Sequence, residues 1–265
     1  MGKKQSLGDR IKSSYEDRSK TFLNRRTITI IRLDGKGFSK FTKNLNKPFD
    51  DGFSQDMDAT ALYLCENIQG AKFAYTQSDE ISVVLCDFDN LETDAWFDYN
   101  VQKMTSIAAS LATARFNQLR LVRMQNEAYK NRFRYMTIDE IDKTNLAFFD
   151  ARVFQVPNID EMFNALLWRQ QDCTRHSISM AASAVYSHKE LEKKSSSVKQ
   201  EMLFQKGINW NDYLPKYKRG SVVKKKLYYI EGSDGDTYAR SKWIVDGNTP
   251  IFTEDREYLF NLIPK

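Results

Sequence analysis

Cysteine is scarce: Cys65, Cys86 and Cys173 are three in 265 residues, an odd number with no C-x-x-C pair, which argues against a disulfide framework. Only two histidines, His176 and His188, could join them, so a structural zinc site is not indicated either. Both absences fit a reducing compartment. No apolar run reaches the ~18 residues of a membrane span, and the opening MGKKQSLGDRIKSSYEDRSK is charged throughout, unlike a secretory signal. The expected location is cytoplasmic, with no membrane partner. No repeat with a period of about 20 to 50 residues is visible, which removes solenoid architectures.

What is present is enough chain for one large domain or two small ones, 265 residues and 30.9 kDa. The net charge of +5 is modest but uneven. Lys216, Lys218, Arg219, Lys224, Lys225 and Lys226 crowd into KYKRGSVVKKK, whereas the acids are scattered. Such a cluster is either a solvated face or a contact for a polyanion.

Residues 8–20 read as a polar leading helix and 27–33 as a buried strand. Phe38 and Phe41 then bury one side of a short helix. NKPFDDGFSQD reads as loop, and MDATALYLCENI as a helix with Met57, Ala61, Leu64 and Ile68 on one face. AKFAYTQSDEISVVL reads as a β-hairpin whose tip is Gln77-Ser78-Asp79-Glu80. From Trp96 to about Phe116, Phe97, Val101, Met104, Ala108 and Leu111 recur at helical steps, and FFDARVFQV is a strand ending at Pro157. The arginine-bearing segment 117–147 has no assigned form. The order β, α, β, β, α, β is that of the ferredoxin-like split βαβ, an α+β fold with an antiparallel sheet and its helices on one face. Residues 1–157 are expected to form this palm-like unit. Residues 158–265 should add a helical, then basic, C-terminal region packed on it as one continuous body, helical over 158–187 at least, with the serines at 195–197 marking a linker.

In a split βαβ sheet the third strand inserts antiparallel between the first two, so the end of the first strand lies beside the start of the third. Asp34 is thereby expected to meet Asp79 and Glu80 at one rim. Each alone has a plainer explanation, since Asp-Gly and Ser-Asp dominate turns for conformational reasons. Convergence favours another: carboxylates gathered at a rim repel unless cations separate them, and hard oxygen donors suit Mg²⁺. A pair of such ions, roughly 3.5 to 4 Å apart, clamps the attacking and leaving oxygens of a phosphoryl displacement. Beside them, the GKGF turn offers backbone N–H groups to a triphosphate. Lys36, Lys40 and Lys103 can equally be ordinary surface or snorkelling lysines.

RLDGKGF, KPFDD, YTQSDEIS, FDARV, LLWRQQDC and KQEMLF, in that order over residues 27–220, resemble the landmarks of the tRNA-histidine guanylyltransferase family. The resemblance implies a polymerase-like palm that adds nucleotides to the 5′ end of tRNA in the 3′-to-5′ direction, using ATP, GTP or other triphosphates. By position, Asp34, the Gly35 carbonyl and Asp79 would hold two Mg²⁺ ions with Glu80 in support. Lys36, Gly37, Phe38 and Ser39, with Gly35, Lys47, Asp50, Ser78 and Lys103, would contact the nucleotide. Arg169, Asp172 and Lys199 would hold RNA or a subunit interface, and Lys216, Lys218, Arg219 and Lys224–Lys226 the RNA backbone. His176 is placed at a helix surface or facing RNA. The family also implies a homotetramer.

One departure matters. Family members that guanylate tRNA-histidine follow W-R-Q-x-D-C with H-I-N-N-L-Y, whereas this chain reads TRHSISM at 174–180. It is more similar to the branch that repairs truncated tRNA 5′ ends by copying the opposing strand. Addition of the extra guanosine, and a palm-fold nucleotide cyclase acting on small triphosphates, are the alternatives, with a non-enzymatic RNA-binding module as the reading outside catalysis.

Overall fold

The computed structural model describes residues 5–231 and 236–264. Strands β1 (Ile28–Gly35), β2 (Ala71–Gln77), β3 (Glu80–Leu85), β4 (Phe149–Val156), β5 (Ser221–Glu231) and β6 (Thr237–Asp246) form one sheet in the order β4-β1-β3-β2-β5-β6. The helices are α1 (Leu7–Ile11), α2 (Phe38–Phe41), α3 (Asp51–Asn67), α4 (Val101–Arg132), α5 (Ile138–Asp142), α6 (Ile159–Ser183), α7 (His188–Leu191), α8 (Ser196–Gln205), α9 (Pro215–Arg219) and α10 (Glu257–Phe260). β3 pairs antiparallel with both β1 and β2, which is the strand order expected of a split βαβ palm.

Alternation along β1 explains how one strand serves two cores. Ile31 and Leu33 point to the face covered by α3 and α4, where Met57, Ala61, Leu64, Met104, Ala108, Ala112 and Phe116 are buried. Ile28 and Ile30 point to the other face, covered by Met162, Phe163 and Leu166 of α6 and by Phe252 and Leu259 of the C-terminal segment. The two palm helices thus share one face, and the C-terminal region closes the other.

Several boundaries differ from the sequence pattern for identifiable reasons. α3 begins inside the expected loop because Asp50 caps it, its carboxylate accepting the Phe53 N–H at 2.8 Å. α4 starts at Val101, capped by Asn100, because Phe97 and Asp98 are left-handed; it then runs through half of the unassigned 117–147 segment. Ser195 is a helix cap rather than a linker residue, accepting from the Val198 N–H.

The sheet also carries two strands that the pattern did not indicate, β5 and β6. Val222 and Val223 of β5 are buried on opposite faces and the strand pairs with β2 from Ser221 to Lys224. Gly220 makes that junction possible: its φ of 74° and ψ of −176° lie in a region that is essentially glycine-only, and a Cβ there would stand 2.5 Å from the Thr76 carbonyl oxygen. Gly220→Ala is expected to cost at least about 2 kcal/mol, read as a lower urea midpoint with unchanged slope. An unchanged midpoint would mean that β5 is not held to β2 as described.

Candidate active site

The end of β1 is where the two halves of the predicted site meet. Asp34 stands opposite Glu80 of β3 and opposite Asp150 of β4, and the Gly35 N–H donates to the Asp79 carbonyl at 3.1 Å. Residues directly opposite on paired strands share a face. That face is the one α6 crosses, so the rim acids meet the side chains of that helix. Ser78, left-handed with φ of 50°, turns the chain between Gln77 and Asp79. Gly35 is required by close approach, since a Cβ there would lie 2.4 Å from the Phe38 ring.

Burial pushes the Asp79 carboxyl above the usual carboxylate range, and the negative charge of Asp34 pushes it the same way, while Ser78 and His176 pull it back. Two carboxylates close enough to repel are what a cation-binding rim requires. Glu80 is also shifted upward by burial, although Arg169 and Arg32 oppose the shift. Its partner is Arg169 of α6, 2.8 Å away, close but misaligned for a hydrogen bond; Arg169 also reaches Asp172 at 2.6 Å and lies over the Trp168 ring. Burial outweighs the ion pair here.

A cleft of 380 Å³ opens beside the rim, within the range of small-ligand sites. Ser39, Lys47, Asp50, Ser78 and Asp79, all expected at the site, line it together with His176. His176 therefore faces the cleft rather than a free helix surface, a position that becomes evident only when α6 is seen to cross the sheet. Asp50 has a second duty, since its two oxygens accept the Asn46 and Phe53 N–H groups. The Lys47 ammonium donates to the Thr42 carbonyl at 3.0 Å.

Other expected residues stand differently. The Phe38 side chain is buried against Phe41, Phe53, Phe116 and Phe149, which leaves only its backbone for a ligand. Lys36 and Gly37 are exposed. Lys103 is not brought to the rim. It occupies the first turn of α4, and Tyr99, two residues before that helix, interacts with Thr29 and Asp87 at the opposite end of β1 from Asp34. Phe116, about 20 Å further along by the helical rise, is the part of α4 that meets Phe38.

The expected RNA contacts divide similarly. Arg169 is turned inward onto Glu80 and is no surface contact, and Asp172 links Arg169 and Arg175. Lys199 donates to Ser179. The run 216–226 is not one solvated face: Lys216 pairs with Asp51, buried Lys218 donates to the Asn211 carbonyl, and Lys224 pairs with Asp246. Lys225 and Lys226 remain exposed, on a β5–β6 ribbon that continues past the end of β2 with Leu227 and Tyr229 also outward. Arg219 lines a groove on the far side of α6 with Arg175 and Trp210.

The donor set expected for a metal would be two carboxylates and the Gly35 carbonyl; among the described residues no group of three or more His, Cys, Asp or Glu forms a cage. That fits Mg²⁺, which keeps waters and is completed by phosphate oxygens, and does not fit a closed all-protein site. Among the described residues no helix is long and apolar enough to cross a membrane.

A family model described as tRNAHis guanylyltransferase matches residues 8–157. The chain belongs to the tRNA-histidine guanylyltransferase family. Its members are nucleotidyltransferases, and the similarity extends past the matched segment. A bacterial tRNA(His) guanylyltransferase-like protein in complex with ATP is 38% identical, covering 97% of this chain and 99% of that one, with a TM-score of 0.80. The same kind of protein in complex with GTP gives 36% identity, 97% and 98% coverage and a TM-score of 0.76. The tRNA(His) guanylyltransferase of Debaryomyces hansenii is 29% identical over 227 residues, 80% of this chain and 79% of that protein.

Proposed function

We propose that this chain repairs tRNA 5′ ends, adding nucleotides in the 3′-to-5′ direction by copying the opposing strand of the acceptor stem. The observation that carries the reading is the meeting of Asp34 and Asp79 beside a cleft lined by Ser39, Lys47 and Ser78. Bound to Asp34, the Gly35 carbonyl and Asp79, two Mg²⁺ ions would supply the Lewis acidity that phosphoryl transfer needs. A 5′-monophosphate has no good leaving group. Its oxygen first attacks the α-phosphorus of a triphosphate, releasing pyrophosphate; the 3′-hydroxyl of the incoming nucleotide then attacks the tRNA 5′-phosphorus, expelling the nucleoside monophosphate. Ser39, Ser78 and Lys47 hold the triphosphate, and Arg169 holds Glu80 in place behind the rim. Nucleotide choice follows template pairing, leaving the protein to read backbone and shape. The working unit is a cytoplasmic homotetramer.

The RNA is held by the Arg175–Arg219 groove and by the ribbon bearing Lys225 and Lys226. Reversing Lys225 and Lys226 to glutamate is expected to weaken tRNA binding about tenfold at low salt and to lower the salt slope by about 1 to 2, with GTP affinity unchanged. Equal loss of both affinities in titrations would contradict it.

A second reading, addition of one guanosine to tRNA-histidine, is favoured by the matched family's description. The TRHSISM segment in place of H-I-N-N-L-Y argues against it. Supplying tRNAs that lack the first 5′ nucleotide, with each of the four template bases opposite, decides between them. Restoration opposite all four supports repair; guanosine addition regardless of template supports the second reading; no extension overturns both.

A further inference from the structure

The loop 46–50, between α2 and α3, carries Lys47 and Asp50 to the wall of the cleft. Much of what holds it comes from far along the chain. The Phe49 ring stacks on Tyr217 of α9, 4.5 Å away and within 4° of parallel, and meets Tyr213 edge-on at 5.1 Å. At the next turn, the Asp51 carboxylate accepts from the Tyr217 hydroxyl and, at 3.1 Å, from the Lys216 ammonium. Tyr217, and after it Lys216, hold the Asp51 carboxyl below its ordinary range, while burial pushes the Tyr217 hydroxyl above its own. At neutral pH the tyrosine is therefore the donor and the aspartate the acceptor.

α9 is itself anchored. The last carbonyls of a helix find no partner within it. Here that of Tyr217 accepts from the Cys173 thiol at 3.9 Å, that of Lys218 from the Thr174 hydroxyl at 3.1 Å, and that of Arg219 from the hydroxyl of buried Tyr75 at 2.8 Å. Cys173 and Thr174 belong to α6 and Tyr75 to β2, so α9 is fixed to the sheet and to the helix that crosses it. The Asp51 side chain is 72% exposed, and an ion pair in that position adds little to stability. Its place matters more, because the stack and both donors act on one loop. We infer that Tyr217 is a positioning residue of the nucleotide site, strapping the loop to α9 with Lys216 so that Lys47 stands ready for a triphosphate. A loop ordered in advance spares the ligand the entropy of ordering it. Tyr217 acts through Lys47 and does not itself touch the phosphates. The inference rests on the proposed function only in taking the cleft as a triphosphate site.

The test is a double-mutant cycle between Tyr217 and Lys47, read as equilibrium binding of GTP to the full chain with Mg²⁺ and no RNA. Lys47→Met alone should weaken GTP about tenfold, the loss of one contact to a charged group. Tyr217→Ala, which removes the stack and the hydroxyl, should also weaken it about tenfold, and Tyr217→Phe, which keeps the stack, about 2- to 5-fold. In the Tyr217→Ala background, Lys47→Met should cost less than about 3-fold, because a lysine no longer held in place has little left to lose. A residue that merely supports the fold would lower the urea midpoint and leave the two losses additive. A full tenfold loss in both backgrounds would thus overturn the inference while leaving the cleft as a triphosphate site. Unchanged GTP affinity in Lys47→Met would overturn that site and the inference with it. Asp51→Asn and Tyr217→Phe keep the packing and remain informative if Tyr217→Ala does not fold; unchanged GTP affinity in both would overturn the strap. Because no RNA is present, coupling in a protein that extends no tRNA would remove the repair reading and leave this one standing.

Discussion

Asp79→Asn is expected to lower the single-turnover rate of 5′ nucleotide addition by about 10³-fold, equivalent to about 4 kcal/mol of transition-state stabilisation. The argument is electrostatic. In the proposed function, Asp79 and Asp34 together provide the negative charge that gathers cations at the rim, and an amide keeps the shape while removing half of it. Stability should move the other way or not at all. Because the folded protein holds the Asp79 carboxyl above its ordinary value, chiefly through burial and then through Asp34, the ionised form is disfavoured in the fold. The carboxylate thus subtracts from stability progressively as pH rises from its ordinary value through that raised one, and asparagine relieves it. Quench-flow rates with a truncated tRNA, beside thermal melting at neutral pH, test both halves. Loss of activity together with a marked drop in melting temperature would show Asp79 to be structural instead.

Removing Arg169 has the largest expected effect on the fold. Its guanidinium and the Glu80 carboxylate each have side chains only 11% exposed, 2.8 Å apart. Arg169→Met leaves Glu80 with Arg32 as a more distant cation and should destabilise the protein by about 3 to 5 kcal/mol, the cost of an unpaired buried charge. Pairing Arg169→Met with Glu80→Gln should recover part of that loss, because the charge left alone is removed as well. Urea unfolding of the single and double variants measures it. Additive losses would mean that the two groups do not act as a pair.

The rim was legible in the sequence because it depends on topology rather than on exact boundaries. Once β1 and the hairpin are recognised, the order of a split βαβ sheet carries Asp34 to Glu80 whatever the loops do. The layer behind the rim was not legible. Arg169 and His176 reach the acids from α6, and nothing local in LLWRQQDC or TRHSISM says that the helix lies across the acidic face. Charge misled in the same way at KYKRGSVVKKK, where Lys218 is buried and Val222 and Val223 enter two cores, because strand pairing with β2 supplies partners that a linear pattern lacks. The long end of α4 was missed for the opposite reason. After Phe116 no residue of that helix is fully buried, so no apolar stripe announces it. Lys103 shows the limit of transfer by position: the residue type agrees, but the first turn of α4 belongs to the far end of the sheet.

The measurement closest to the central claim is anomalous diffraction from crystals soaked with Mn²⁺ and a triphosphate that cannot react. Peaks bounded by the Asp34 and Asp79 carboxylates, with the phosphates extending toward Ser39 and Lys47, are the result expected. Metal bound elsewhere, with those two carboxylates free of it, would contradict the account.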